Sequence, residues 1–169
     1  LRLIYGGGNI GLMGEIAQSV IHSGGSAIGV IPQFLVEKEL VYDKLTEIRV
    51  VETMHERKAT MAELADAFIA MPGGFGTLEE TVEVLTWAQL GLHEKPIGLL
   101  NIDGYYSHLN QFIEHMIAEG FLMGAYKDML LVEDNPIDLD LAIRAFRSQN
   151  LGNQIKVCRA GEEALAQIT

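Results

Sequence analysis

The sequence predicts an α/β three-layer fold with a mostly parallel central sheet. Three observations carry this. Short β-rich runs alternate with amphipathic helical ones, each strand-like run is nearly continuously apolar, and glycines cluster in two loops that follow strand-like runs. Parallel strands covered on both faces read as unbroken apolar runs. Strict alternation with helices then implies right-handed crossovers that lay the helices on the sheet faces. At 169 residues, 49% of them hydrophobic, the chain can bury a core without a metal or disulfide staple.

In chain order, the predicted strands are 1–5, 26–31, 47–52, 67–71, 96–101 and 129–133. Helical periodicity fills the intervals at 12–22, 54–65, 77–91, 106–119 and 136–147. Residues 33–46 form a charged excursion, expected to be loop with a short helix. Residues 1–148 read as one domain, and 149–169 as a tail of weaker periodicity with no functional reading. The sequence opens directly on a strand, which fits either a natural start or a truncated N-terminus.

Composition excludes several classes. Twelve Lys plus Arg against 23 acids give a net charge of −11, which repels nucleic-acid backbones and anionic membranes. No apolar run approaches the roughly 18 residues of a membrane-spanning helix. Cys158 is the only cysteine, so no intrachain disulfide forms and a cytoplasmic location is expected. His22, His55, His93, His108 and His115 show no metal-binding spacing, so no metal site is expected.

The first loop, Gly6-Gly7-Gly8-Asn9-Ile10-Gly11, matches G-x-G-x-x-G between a strand and a helix. The second strand ends Ile31-Pro32-Gln33, without the acid that a dinucleotide ribose requires. A phosphate contact and a merely tight strand–helix turn both stay open for this loop. The second loop, Pro72-Gly73-Gly74-Phe75-Gly76-Thr77, lacks the Walker lysine. Both loops belong to the carboxyl edge of the strands, where α/β sheets bind ligands, and together they point to a phosphate-bearing anion.

Thr53-Met54-His55-Glu56 and Thr77-Leu78-Glu79-Glu80 both match the T-x-x-E capping box. Glu80 is therefore either a helix cap or a catalytic acid. Arg57 and Lys58 fall in the second turn of their helix, near the positive end of its dipole, where cations are disfavoured. Either an anion binds nearby, or Glu52 or Glu56 offsets a solvated pair.

Met54-His55-Glu56-Arg57-Lys58 followed by Pro72-Gly73-Gly74-Phe75-Gly76-Thr77-Leu78-Glu79-Glu80 closely resembles the paired motifs of the Lonely guy family, cytokinin riboside 5′-monophosphate phosphoribohydrolases. The resemblance extends from Leu1 to about Phe146 and takes in Gly6–Gly14, Thr86-Trp87-Ala88-Gln89 and Asn101-Ile102-Asp103-Gly104-Tyr105-Tyr106. It implies a Rossmann-like fold, a homodimer, and a nucleotide site with no metal or redox cofactor. The substrate implied is a nucleoside 5′-monophosphate, AMP or prenylated AMP, cleaved to free base and ribose 5-phosphate. Arg57 and Glu80 would be the catalytic pair. Lys58, Gly74, Phe75, Gly76, Thr77, Leu78 and Thr86 would line the nucleotide site with Gly8, and Glu39 would reach in from the charged excursion. The family normally begins with another strand, a Gly-Ser-Ser loop and a helix, which this sequence lacks. The rival reading is a non-catalytic nucleotide or cofactor carrier, which has no need of an intact Arg57 and Glu80 pair. Lysine decarboxylase chemistry fits poorly, because pyridoxal phosphate needs a Schiff-base lysine and Lys58 lies in a motif suited to phosphate contact.

Overall fold

A computed structural model describes residues 2–36, 41–124 and 129–138. The described residues up to Ala65 form one unit and those from Asp66 onward form a second. In the first unit the elements are β1 (Arg2–Tyr5), α1 (Gly11–His22), β2 (Ser26–Pro32), the short α2 (Gln33–Val36), β3 (Glu47–Val51) and α3 (Met54–Leu64). Its three strands pair in parallel in the order β1-β2-β3, with Tyr5 opposite Gly29 and Pro32 opposite Val51. β2 is central, and everything from Ala27 to Pro32 is buried, as its unbroken apolar run predicts.

Helix α1 buries Gly14, Ala17 and Val20, a stripe with the spacing of one helix face. Gly14 has to be glycine, because a Cβ there would lie 2.6 Å from the Asn9 carbonyl oxygen. Tyr5, Ala17 and Tyr42 form the buried cluster of this unit, with Leu3, Ile21 and Leu45 packed against it. The Tyr5 hydroxyl is buried and has no hydrogen-bond partner among the described residues. Burial, with a smaller contribution from Tyr42, pushes its pKa up to about 12.

β3 departs from the expectation that every strand is covered on both faces. It lies at the edge of its sheet, and Ile48 and Val50 are 43% and 50% exposed. Its apolar run is therefore only half covered among the described residues.

The second unit comprises β4 (Phe68–Ala70), α4 (Phe75–Gln89), β5 (Ile97–Leu100), a 3₁₀ turn at Ile102–Gly104, α5 (Ser107–Ala118) and β6 (Leu130–Glu133). These strands are also parallel, in the order β4-β5-β6, and central β5 is buried throughout. Ile97 packs with Val84 and Ala88 of α4, while Leu99 packs with Ala70, Tyr106 and Leu109.

His93 ties α4 to the approach of β5. Its Nδ1 accepts from the Lys95 amide at 3.1 Å, so Nε2 carries the proton and donates to the Val84 carbonyl at 2.9 Å. Both ring nitrogens are thus committed to structure.

All six predicted strands are present and every observed pairing between them is parallel, so the α/β class stands as the sequence predicts. Residues 136–138 begin the helix predicted at 136–147. The rest of that helix, the 149–169 tail with Cys158, and Glu39 lie outside the described residues.

Candidate functional site

The first unit builds its candidate groups at the carboxyl ends of β1 and β2. Gly7, at φ +84°, turns the chain out of β1 in a conformation few side chains tolerate. It lies so close to β2 that a Cβ on Gly29 would sit 2.8 Å from the Gly7 Cα. Gly8 is buried and forms an antiparallel bridge with Val41, and the Tyr42 amide donates to the Gly7 carbonyl at 3.5 Å. Gly7 and Gly14 therefore have packing reasons of their own, so the tight-turn reading accounts for part of the G-x-G-x-x-G match.

Gly6 has a different reason. The Arg57 guanidinium occupies the place a side chain at Gly6 would take. Arg57 reaches it from α3, and its Nε donates to the Val30 carbonyl of β2 at 3.2 Å. By register, Val30 is one step beyond the Tyr5–Gly29 pair, level with Gly6. The arginine is half-buried, with its head held over the end of the sheet by a main-chain oxygen and a bare glycine.

The start of α3 fixes where Arg57 stands. Thr53 is the N-cap, and its side chain accepts from the Glu56 amide at 3.1 Å. The Glu56 carboxylate reaches back to the Glu52 amide at 2.8 Å, one residue earlier than a standard capping box. That cap puts Arg57 and the half-buried Lys58 in the second turn, as the sequence predicts.

In the second unit the Pro72–Thr77 loop leads from β4 into α4. Here one sequence expectation is corrected: Thr77 does not cap α4. The N-cap is Gly74, in an extended conformation with no side-chain cap bond, and the Leu78 amide already donates to the Gly74 carbonyl at 3.1 Å. Thr77 is the third helical residue and Glu80 the sixth, so Glu80 is not the partner in a Thr77 capping box. The helix's first bond closes on the Gly74 carbonyl, three residues before the one a Thr77 cap would need, so Thr77 lies inside the first turn with its side chain against Gly73.

The amides of Gly74, Phe75, Gly76 and Thr77 are the four that lack carbonyl partners within the helix. Among the described residues, no packing contact requires glycine at Gly74 or Gly76. A Cβ at either position would meet no atom within 4 Å, and neither has a positive φ. Phe75 between them is 91% exposed. Glycine inside a first turn costs about 1 kcal/mol relative to alanine, so Gly76 gives up helix stability for a bare, open backbone.

Glu80 is half-buried beside the buried stripe Thr81, Val84 and Ala88. Thr86, one and two-thirds turns further on, is exposed and donates its hydroxyl to the Val82 carbonyl at 2.8 Å. The first unit thus holds Gly8, Arg57 and Lys58, and the second holds Gly74 through Leu78, Glu80 and Thr86.

Beyond β5, a pair of side chains is tied to the same loop. Asn101 Oδ1 accepts from the Tyr106 amide at 2.6 Å, and Asp103 and Gly104 turn the chain at φ +51° and +74°. Tyr106 donates its hydroxyl to the Met71 carbonyl, and Tyr105 donates to the Gly73 carbonyl at 2.6 Å. Residue type and spacing give these two tyrosines no task. Two adjacent tyrosines in an Asp-Gly turn at a strand's carboxyl end were the available signal.

A family model described as "Possible lysine decarboxylase" matches residues 13–142. The probable cytokinin riboside 5′-monophosphate phosphoribohydrolase LOGL9 of Oryza sativa subsp. japonica is 54% identical over 129 residues, covering 76% of this chain and 57% of the relative. Cytokinin riboside 5′-monophosphate phosphoribohydrolase LOG5 of Arabidopsis thaliana is 47% identical over 152 residues, covering 90% and 67%. LOG4 of the same plant is 58% identical over 122 residues, covering 72% and 57%. The chain therefore spans between 57% and 67% of the length of these relatives. With the family model matched across most of the chain and half the residues shared with these proteins, the chain belongs to the Lonely guy family, whose family model bears the lysine decarboxylase description.

Proposed function

We propose that this chain hydrolyses the N-glycosidic bond of purine nucleoside 5′-monophosphates, AMP or N6-prenylated AMP. The names of its relatives supply the reaction class. The observation that carries the proposal is the pair Gly74 and Gly76, bare in open space at the start of α4. Amides there that lack partners within the helix suit the substrate's 5′-phosphate, and the helix dipole favours its charge.

In the reaction the bond from ribose C1′ to the base nitrogen breaks, and the base leaves with the electron pair and takes up a proton. Water supplies the hydroxyl that ends on C1′, giving ribose 5-phosphate. The transition state resembles an oxocarbenium ion, which a nearby carboxylate stabilises. Glu80 has that task, facing C1′ or orienting the water. Arg57 offers a planar fork of donors to phosphate or ribose, and the Val30 carbonyl pre-orients it. Lys58, Thr86, Gly8 and Glu39 complete the binding site in this reading.

Free base is the product to assay, using AMP, N6-prenylated AMP and adenosine. Both monophosphates are expected to release base, with kcat/KM for adenosine lower by about 10²-fold or more, because phosphate contacts drive transition-state binding. Comparable turnover of adenosine and AMP overturns the phosphate assignment. Tight AMP binding without base release instead identifies a carrier.

The same reading includes a homodimer. Leu90 and Leu92 after α4 are 68% and 69% exposed, and Phe112 on α5 is 57% exposed, more apolar surface than these helices need to leave in water. Elsewhere on these helices Ile113 is buried, and Leu85 and Trp87 pack around Val84 and Ala88. Sedimentation at micromolar concentration is expected to give twice the chain mass, and a monomer there counts against it.

A further inference from the structure

We propose that Tyr105 and Tyr106 are positioning residues that hold the Pro72–Thr77 loop in the shape that receives the 5′-phosphate. Their role rests on the phosphoribohydrolase reading, because it presumes that the loop holds that phosphate.

The turn that presents them is fixed three ways. The Gly104 amide donates to the Asn101 carbonyl at 3.1 Å, and the Tyr105 amide to the Ile102 carbonyl at 3.0 Å. The Asn101 side chain accepts from the Tyr106 amide at 2.6 Å. Asp103 takes the left-handed conformation, uncommon for a residue with a Cβ, and so turns the chain sharply enough to carry two consecutive tyrosines back over the loop. Their rings meet edge to face at 5.0 Å and 88°.

The two hydroxyls then bond to carbonyls on either side of Pro72: Tyr106 to Met71 and Tyr105 to Gly73. Proline fixes its own φ, so pinning the carbonyls before and after it leaves this stretch little freedom. On its other side Gly73 lies against Thr77 in the first turn of α4. The loop is thus held between the tyrosine pair and the helix it starts, and the amides from Gly74 to Thr77 take their direction from that hold. Burial, with Tyr105 second, raises the Tyr106 hydroxyl above its ordinary pKa.

Neither ring is assigned to the substrate, so the effect on chemistry is indirect, and a phosphate-specific readout separates it from general destabilisation. The probes are ribose 5-phosphate and adenosine, titrated calorimetrically into the full chain and into Tyr105→Phe, Tyr106→Phe and the double variant. Each phenylalanine keeps the ring and removes one hydrogen bond, so ribose 5-phosphate affinity is expected to fall about 3–10-fold per variant. Adenosine affinity is expected to stay within twofold of wild type. Tyr105 is 52% exposed, so its variant keeps the fold even if loss of the buried Tyr106 hydroxyl does not. Unchanged ribose 5-phosphate affinity in Tyr105→Phe and the double variant overturns the proposal. So does an equal loss for both ligands, which marks the tyrosines as merely structural. If the wild-type chain binds no ribose 5-phosphate and releases no base, the phosphoribohydrolase reading itself fails and takes this role with it.

Discussion

Glu80→Gln is expected to bind AMP, melt within a few degrees of wild type, and release base about 10²–10⁴-fold more slowly. Glutamine has nearly the same shape and helix propensity, so the change removes charge and proton-transfer capacity while keeping the side chain's size. The helix start makes this a clean test. Glu80 is the sixth residue of α4, which begins at Phe75 behind Gly74, so no cap bond is lost with it. Through the helix dipole, removing one negative charge from the second turn costs a few tenths of a kcal/mol. Steady-state base release together with a thermal melt reads both quantities. A variant that keeps most of its kcat removes Glu80 from the chemistry.

Gly6→Ala is expected to lower kcat/KM by about 10–10²-fold, approaching the loss in Arg57→Ala, with stability within about 1 kcal/mol of wild type. The new methyl group falls where the Arg57 guanidinium lies. What it displaces is the far end of a flexible side chain, so the backbone need not move. Gly6 has no positive φ for alanine to strain. The arginine swings away, its bond to the Val30 carbonyl breaks, and the donor fork loses its aim. The two variants separate the possible failures. If Arg57→Ala is inactive and Gly6→Ala is fully active, the seat over Gly6 is not the working position. If Arg57→Ala is itself active, the arginine has no part in the reaction.

Sequence pattern and structure agree where the cause is local. The buried run of β2 and the Thr53 cap of α3 are each written in a handful of neighbouring residues, and both stand where the pattern puts them. The second T-x-x-E is equally good as a pattern and is not a cap. α4 begins three residues earlier, behind Gly74, and a linear motif does not fix which carbonyl accepts the first helical bond. β3 looks apolar enough for an interior strand, but its place in the sheet is decided by pairing, which leaves it at an edge. The candidate site divides the same way. Arg57, Lys58 and the Gly74–Thr77 turn could be picked out from residue types and their place after strands. The motif leaves Gly6 between a phosphate contact and a tight turn, while its nearest neighbour is an arginine 51 positions away. The tyrosine pair was invisible as a working unit because its partners lie 32 and 35 positions upstream.

The oxygens that hold Arg57 and the two tyrosines belong to Val30, Met71 and Gly73, and all three are main-chain carbonyls. Every residue type carries that oxygen. A lineage can therefore exchange the side chains of Val30 and Met71 for others the core accepts without losing an anchor, as long as the strand and the chain leaving it keep their course. The aim of these groups is inherited through the backbone path. Core side chains beneath the site are left free to drift, while Gly6, whose use is to have no side chain at all, is not.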